Sequence, residues 1–321
     1  MMNLVDNNMV NALQSVLSLH YKFGRNDALV MAARKVFSQY FARAAIGAPF
    51  EARGILLFGP SRSGKSKEFA EIVKDFNACG YPLPNGTTAK IVTCILDGRT
   101  TWKDLGAKTL DSMGYSYNRR ATQREIQERL LYQSERQGIV GVVYDECQHI
   151  FPTKDTQAHA VILDSFKTMM KDRWPLMLFL LGVEELRTRV ATHGQLDDLL
   201  AKVEFRYIDL GCDSDIRELN ELCYAYCESI GLDFDHLANE DFYQRLVFAS
   251  GAKWGLVIEL LVAAICTAKT EGEDRVTLQD FSDAFTSQAG FERNFSPFLV
   301  EDYRRTFDMA KIIAMMKRPT D

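Results

Sequence analysis

The stretch from Gly59 to Ser66 constrains this chain more than any other. Gly59, Pro60, Ser61, Arg62, Ser63, Gly64, Lys65 and Ser66 fit the phosphate-loop pattern GxxxxGK[ST]. That pattern holds phosphate only between a buried strand and the first turn of a helix. Its glycines let consecutive backbone N–H groups curl around the phosphates, and the helix N-terminus adds partial positive charge. Both flanks are present here. Residues 54–59, GILLFG, are a short apolar run closed by glycine, as a strand buried on both faces of a parallel sheet requires. Residues 65–76 continue at helical spacing. In that setting the loop from Gly59 through Lys67 forms the cradle for ATP. Lys65 is expected to reach the β- and γ-phosphates, and the Ser66 hydroxyl to ligate Mg²⁺.

The complement of such a loop is an acid at the end of another strand. Residues 139–145, IVGVVYD, are followed directly by Glu146. An apolar strand ending in two acids puts Asp145 and Glu146 at the carboxyl edge of the sheet, where open α/β sheets bind ligands. Asp145 is expected in the Mg²⁺ sphere and Glu146 as the general base that polarises the attacking water. Further strands are predicted at residues 91–97 (IVTCILD), 175–182 (PLMLFLLG) and 204–210 (EFRYIDL), with helical patterns between them. Strands alternating with helices predict an α/β fold: a five-stranded parallel sheet between helices. From residue 213 strand signals stop, and successive amphipathic helices follow. The predicted organisation is a helical segment over 1–50, a P-loop ATPase domain over 51–211, a small all-helical lid over 212–290 and a tail over 291–321. That tail, with Phe291, Phe295, Phe298, Tyr303 and Phe307, is read either as a partner-binding segment or as packing on the lid.

Composition removes several classes. The longest apolar stretches, residues 175–183 and 256–266, fall well short of the roughly 20 residues that span a bilayer. No basic segment followed by an apolar one opens the chain, so no membrane and no export are expected. The seven cysteines include no CxxC pair, in keeping with a reducing, cytoplasmic setting. Cys223 and Cys227, one helical turn apart, read as core residues in preference to metal ligands. Net charge is −5, but unevenly spread: residues 1–212 have 27 Lys/Arg against 23 Asp/Glu, and residues 213–321 have 11 against 20. A polyanion would meet the first part.

On these residues the sequence resembles the AAA+ ATPases of bacterial DNA transposition, the TniB/TnsC group. The resemblance covers about residues 54–261 and rests on GILLFGPSRSGKS, on VVYDECQHIF with Gln157 and Lys167 beyond it, and on PLMLFLLGVEEL, then FRYIDL. It implies an AAA+ domain with a helical lid and a further strand lying between the two motif strands. It also implies ATP-dependent self-assembly, as a ring or helical filament, on duplex DNA, and recruitment of a transposase and a target-selection protein. By its place in FRYIDL, Arg206 is the expected arginine finger toward a neighbour's ATP, with Arg187 and Arg189 in reserve. Two departures point to slow hydrolysis. The fourth strand ends in Leu181 and Gly182 where related proteins carry a polar residue. Where related lids place a nucleotide-sensing arginine, this chain has Trp254, with Lys253 beside it.

Residues 99–124 hold six basic side chains, Arg99, Lys103, Lys108, Arg119, Arg120 and Arg124, against Asp104 and Asp111, interleaved with Trp102, Tyr115 and Tyr117. In related filaments the segment after the second strand faces DNA, so the resemblance makes Thr101, Lys103, Arg119 and Arg120 the expected phosphate contacts. From the residues alone a solvated helix face is the better reading, and only the resemblance brings the DNA-facing one level with it. His149 reads either as a sheet-edge residue or as a relay from the nucleotide to that segment. Two alternatives stand beside the transposition reading: a replication-initiator or helicase-loader relative, a class that usually brings a winged helix for which the last residues are too few, and a nucleotide-gated scaffold that does not bind DNA.

Overall fold

The alternating apolar and glycine-bounded runs line up as a parallel sheet in a computed structural model that describes residues 7–19, 21–96, 101–116, 121–150 and 156–315. Its contacts divide the chain into residues 25–206 and, separately, residues up to 24 with those from 207 onward. Helix α1 (Asn7–Ser18) belongs to the second unit. The first contains α2 (Asn26–Ile46), β1 (Gly54–Phe58), α3 (Lys65–Cys79), β2 (Lys90–Ile95), α4 (Trp102–Ser112), α5 (Gln123–Gln137) and β3 (Ile139–Asp145). It continues through α6 (Thr156–Lys171), β4 (Met177–Gly182), α7 (Glu184–Ala191), α8 (Gly194–Asp197) and β5 (Leu200–Glu204).

Among the described residues the sheet has five strands in the order β2-β3-β4-β1-β5, every neighbour parallel. β4 therefore separates the strand that leads into the phosphate loop from the strand that ends in Asp145. The apolar runs are unbroken because both faces are covered. Alternate residues point to opposite faces: Leu56, Phe58, Val142, Tyr144, Leu178 and Leu180 pack in one core with residues of α4, α5 and α6. Ile55, Leu57, Val143, Phe179 and Leu181 pack in another with Leu29, Ala33, Val36 and Tyr40 of α2 and Phe69, Val73 and Phe76 of α3. Burying each such large side chain contributes about 1.5–3 kcal/mol. Register fixes where the chemistry emerges: Phe58 pairs with Gly182 and Tyr144 with Leu180, so β1, β3 and β4 end at one edge.

One expected strand lies elsewhere. EFRYIDL, residues 204–210, contributes only Glu204 to β5, which is formed by Leu200–Glu204. β5 is an edge strand that pairs with β1 alone, and it ends where β1 ends. One further bond, Phe205 N–H to Phe58 O at 2.8 Å, closes the ladder. Phe205 is then buried by the helix-covered core and not by strand alternation, and that mimics a strand in the sequence.

The second unit is helical: α1 with α9 (Asp213–Glu228), α10 (Glu240–Ala249), α11 (Trp254–Thr270), α12 (Leu278–Ala289), α13 (Tyr303–Thr306) and α14 (Met309–Met315). Its core is aromatic, with Phe242 against Phe281 at 4.9 Å and Trp254 edge-on to Phe23 at 5.0 Å. Ala12 and Val16 of α1 join it, as do Phe298, Tyr303 and Phe307 of the tail, while Phe295 is exposed. Cys223 and Cys227 are both buried on α9, and burial pushes the Cys227 thiol up to about 12. Among the described residues no single helix is long and apolar enough to cross a membrane.

Candidate nucleotide site

The phosphate loop owes its shape to backbone conformations that ordinary side chains resist. Gly59 has φ of 147°, and a Cβ there would stand 2.0 Å from the Phe205 carbonyl oxygen. Gly64 has φ of 92° and leads straight into α3, whose first N–H groups have no carbonyl partner within the helix. Arg62, between them, is itself left-handed at φ 63°. Lys65 is buried, and an ammonium out of water is tolerated only when it is satisfied. Its Nζ donates to Gly59 O (3.0 Å), Pro60 O (2.7 Å) and Ser63 Oγ (3.2 Å), all within the loop. Ser66 and Lys67 lie exposed on the first turn of α3, Ser61 is exposed, and Ser63 is buried beneath the loop.

The acids sit at the end of β3 as expected. Asp145 is half-buried and Glu146 exposed. Glu146 has φ of 57°, a conformation costing on the order of 1–3 kcal/mol outside glycine that concentrates at functional sites. Its N–H donates to Asp145 Oδ1 at 2.8 Å, and its carboxylate accepts a hydrogen bond from Gln148 Nε2. A 3₁₀ turn, Cys147–Ile150, follows, and His149 N–H donates to Glu146 O at 3.0 Å. Cys147 is sealed beneath this turn. Burial pushes its thiol well above the usual range, and Sγ donates to Tyr144 O at 3.0 Å, so it is a core group and not a nucleophile. Tyr144, also raised by burial, shares a 2.9 Å hydrogen bond with Thr109 Oγ1, which ties β3 to α4.

These residues fit a nucleoside triphosphate with Mg²⁺. The lysine rests among three oxygens whose place phosphate oxygens can take, and Ser66 and Asp145 are the donors of hard-cation type for the metal. When bound there, Mg²⁺ neutralises charge on the phosphate oxygens.

One basic residue at the loop escapes the motif. Arg25 precedes α2; its guanidinium lies 5.0 Å from the Phe205 ring centroid, and Nη2 comes within 3.5 Å of the point a Cβ on Gly64 would occupy. The next residue, Asn26, donates from Nδ2 to Glu68 Oε2 at 2.6 Å, pinning the head of α2 to the first turn of α3. No local pattern marks Arg25, because it reaches the loop through folding of a distant segment.

The remaining expected residues are scattered. Arg206 is exposed, one residue beyond Phe205. Arg187 lies over the Phe58 ring at 5.3 Å and pairs with Glu184 at 3.8 Å, and Arg189 is half-buried on the same helix. Lys253 precedes α11 in the helical unit, just after left-handed Ala252. Thr101 is exposed but occupied: it caps α4, with its hydroxyl donating to Asp104 Oδ2 at 2.6 Å and accepting from Asp104 N–H at 3.2 Å. Lys103 is half-buried on the first turn of α4, and Trp102 is core. Arg124 pairs with Glu128 at 2.9 Å. Arg119, Arg120, Arg99 and Tyr117 lie outside the described residues, as do Lys317 and Arg318 of the tail.

No protein-family model matches the chain, and no curated protein matches it. Solved structures do. The Aeropyrum pernix ORC1 protein, solved in complex with DNA, is 16% identical over 86% of this chain and 69% of its own, with a TM-score of 0.62. The ORC2 protein of the same organism, solved as ADPNP–ADP complexes, is 15% identical over 85% and 72%, with a TM-score of 0.61. Cdc6p from Pyrobaculum aerophilum is 12% identical over 84% and 70%, with a TM-score of 0.59. At these identities the likeness concerns the fold. The chain has an AAA+ P-loop fold like that of these ORC and Cdc6p structures, and the likeness does not single out the transposition ATPases.

Proposed function

We propose that this protein is an ATP-dependent, DNA-associated AAA+ regulator that works as an oligomer and is related to replication initiators and helicase loaders. The observation that carries the reading is the phosphate loop with Lys65 held among its oxygens, on the same sheet edge as Asp145 and Glu146, in a fold like that of the initiators. Hydrolysis follows from those groups. Glu146 takes a proton from water as the water oxygen bonds to the γ-phosphorus; the bond to the β,γ-bridging oxygen breaks and ADP leaves with that electron pair. Arg206 of a neighbouring copy is the proposed finger, and Lys253 a lid contact to the nucleotide. Turnover below about 10 per second is expected, because Trp254 and Lys253 stand where the resemblance would place a nucleotide-sensing arginine, so that nucleotide acts as an assembly switch.

DNA association draws on the excess of basic residues over 99–124 and on the DNA complex of the Aeropyrum ORC1 protein. Lys103, Thr101, Arg119 and Arg120 are the proposed contacts, binding duplex with little sequence preference and strong salt dependence. A second reading, the transposition regulator of the TniB/TnsC kind, is favoured by DECQHIF and LLGVEEL, and it names a transposase and a target-selection protein as partners.

The test is anisotropy of a labelled duplex of arbitrary sequence with a slowly hydrolysed ATP analogue, with ADP and without nucleotide, at two salt concentrations. Tight binding only with the analogue, weakened by salt, is expected. Binding in none of the three states sinks both DNA readings and leaves a nucleotide-gated scaffold. Co-migration of the DNA-bound form with a replicative helicase or with a transposase then separates the first reading from the second.

A further inference from the structure

We propose that the side-chain amide of Gln148 holds the attacking water in this site, supplying the polar group that the end of β4 lacks. The inference rests on the hydrolytic reading above.

β4 ends in Leu181 and Gly182, neither of which offers a polar side chain. Tyr144 is the last residue of β3 paired with β4, through Leu180, so Glu146, just past the end of β3, and Gly182, the end of β4, lie at the same edge of the sheet. The glycine leaves room above that edge, and Gln148 shares it with Leu186: a Cβ on residue 182 would stand 2.9 Å from Leu186 Cδ2 and 3.1 Å from Gln148 Oε1. The side chain of Gln148 thus covers the ground that a longer residue on β4 would fill. It gets there because the chain turns left-handed at Glu146 and enters the 3₁₀ turn, which swings residue 148 back over the strand ends.

The two ends of the amide have different neighbours. Nε2 donates to the carboxylate of Glu146, and this fixes the orientation of the group, since only its N–H end satisfies a carboxylate. Oε1 is buried and has no hydrogen-bond partner among the described residues. A carbonyl in that condition is destabilising, and such an atom at a functional site calls for a donor from outside the chain. A water that donates one hydrogen to Oε1 and the other to Glu146 satisfies it. In hydrolysis the second hydrogen passes to the Glu146 carboxylate while the oxygen bonds to phosphorus; Gln148 neither gains nor loses a proton.

The test uses the full chain with Mg²⁺ and ATP, read as single-turnover phosphate release, and as affinity for a slowly hydrolysed analogue. Gln148→Ala is expected to lower kcat about 10- to 100-fold with nucleotide affinity changed less than about 3-fold. Gln148→Glu, which keeps the length but cannot donate to Glu146, falls at least as far. The telling variant is Gly182→Ser. Alone it displaces the amide and lowers kcat; combined with Gln148→Ala it places a hydroxyl in the vacated space and recovers about 5-fold or more over the single alanine variant. A purely structural Gln148 gives no such recovery. An unchanged or raised kcat for Gln148→Ala, with Glu146→Gln inactive, overturns the proposal and leaves the hydrolytic reading standing; a raised rate makes the contact a lock on the base. A wild-type chain that binds but never hydrolyses ATP removes that reading and this inference together, and shows it before any variant is made.

Discussion

The phosphate loop and the basic segment beginning at Thr101 lie in the same unit, and both stand out in the sequence as patterns of residue types. They differ in what those types do. In the loop each residue answers a backbone demand: left-handed turns at Gly59 and Gly64, an ammonium buried among three oxygens at Lys65. In the basic segment the conspicuous residues serve the helices. Thr101 is spent on the cap of α4, Arg124 on a pair with Glu128, and Trp102 on the core. A pattern that dictates backbone geometry announces its function; an excess of charge does not, because a solvated helix face has the same composition.

The contrast can be broken or sharpened by substitution. The largest effect is expected of Lys65→Ala, which should lower nucleotide affinity at least about 100-fold by calorimetry while the thermal transition is preserved. Retention of tight binding would mean the loop is a vestige. Lys103→Glu should weaken duplex binding in the ATP-analogue state about 10-fold at low salt and flatten the slope of log affinity against log salt by about one or more, with nucleotide affinity intact. An unchanged slope takes Lys103 off the DNA.

Thr101→Ala separates the two roles of that residue. Loss of the cap should cost about 1 kcal/mol in urea unfolding, against less than about 2-fold in DNA affinity. The reverse ranking would make Thr101 a contact first and a cap second. The smallest effect concerns thiols under both regions. Burial raises the thiol of Cys94, behind α4, to about 11, and holds that of Cys147, behind Glu146, well above its ordinary range. The folded chain keeps a proton on Cys94 that the unfolded chain releases near its ordinary value of 9, so the associated stability is complete below pH 9 and is lost as pH rises toward 11. The slope is about 1 kcal/mol per pH unit for that group, read from urea midpoints. At pH 8 an alkylating reagent should modify exposed Cys79 and spare Cys94 and Cys147 in the folded protein.

Legibility in the sequence follows the same division. β1, β3 and β4 are readable within a residue or two because strands covered on both faces are unbroken apolar runs. β5 is not: an edge strand covered less fully, LAKVE, hides its signal, and the apolar residues just beyond it owe their burial to other elements. The acids at the end of β3 are readable, whereas the left-handed turn at Glu146 and the return of Gln148 over Gly182 are not, since nothing local in DECQ requires either. Arg25 is invisible for a related reason. Its neighbourhood is assembled by tertiary packing from Phe205 and Gly64, both far from it in sequence.

The close approach at Gly59 has a consequence for inheritance. The Phe205 carbonyl stands where any side chain at position 59 would begin, so this glycine is demanded by the junction of two strands before any phosphate enters. A descendant that had given up nucleotide altogether would still be held to glycine there, while Lys65, whose contacts to Gly59, Pro60 and Ser63 lie inside the loop, would be free to drift. In comparing such chains, the lysine and not the glycine is the character that dates the loss of the ligand.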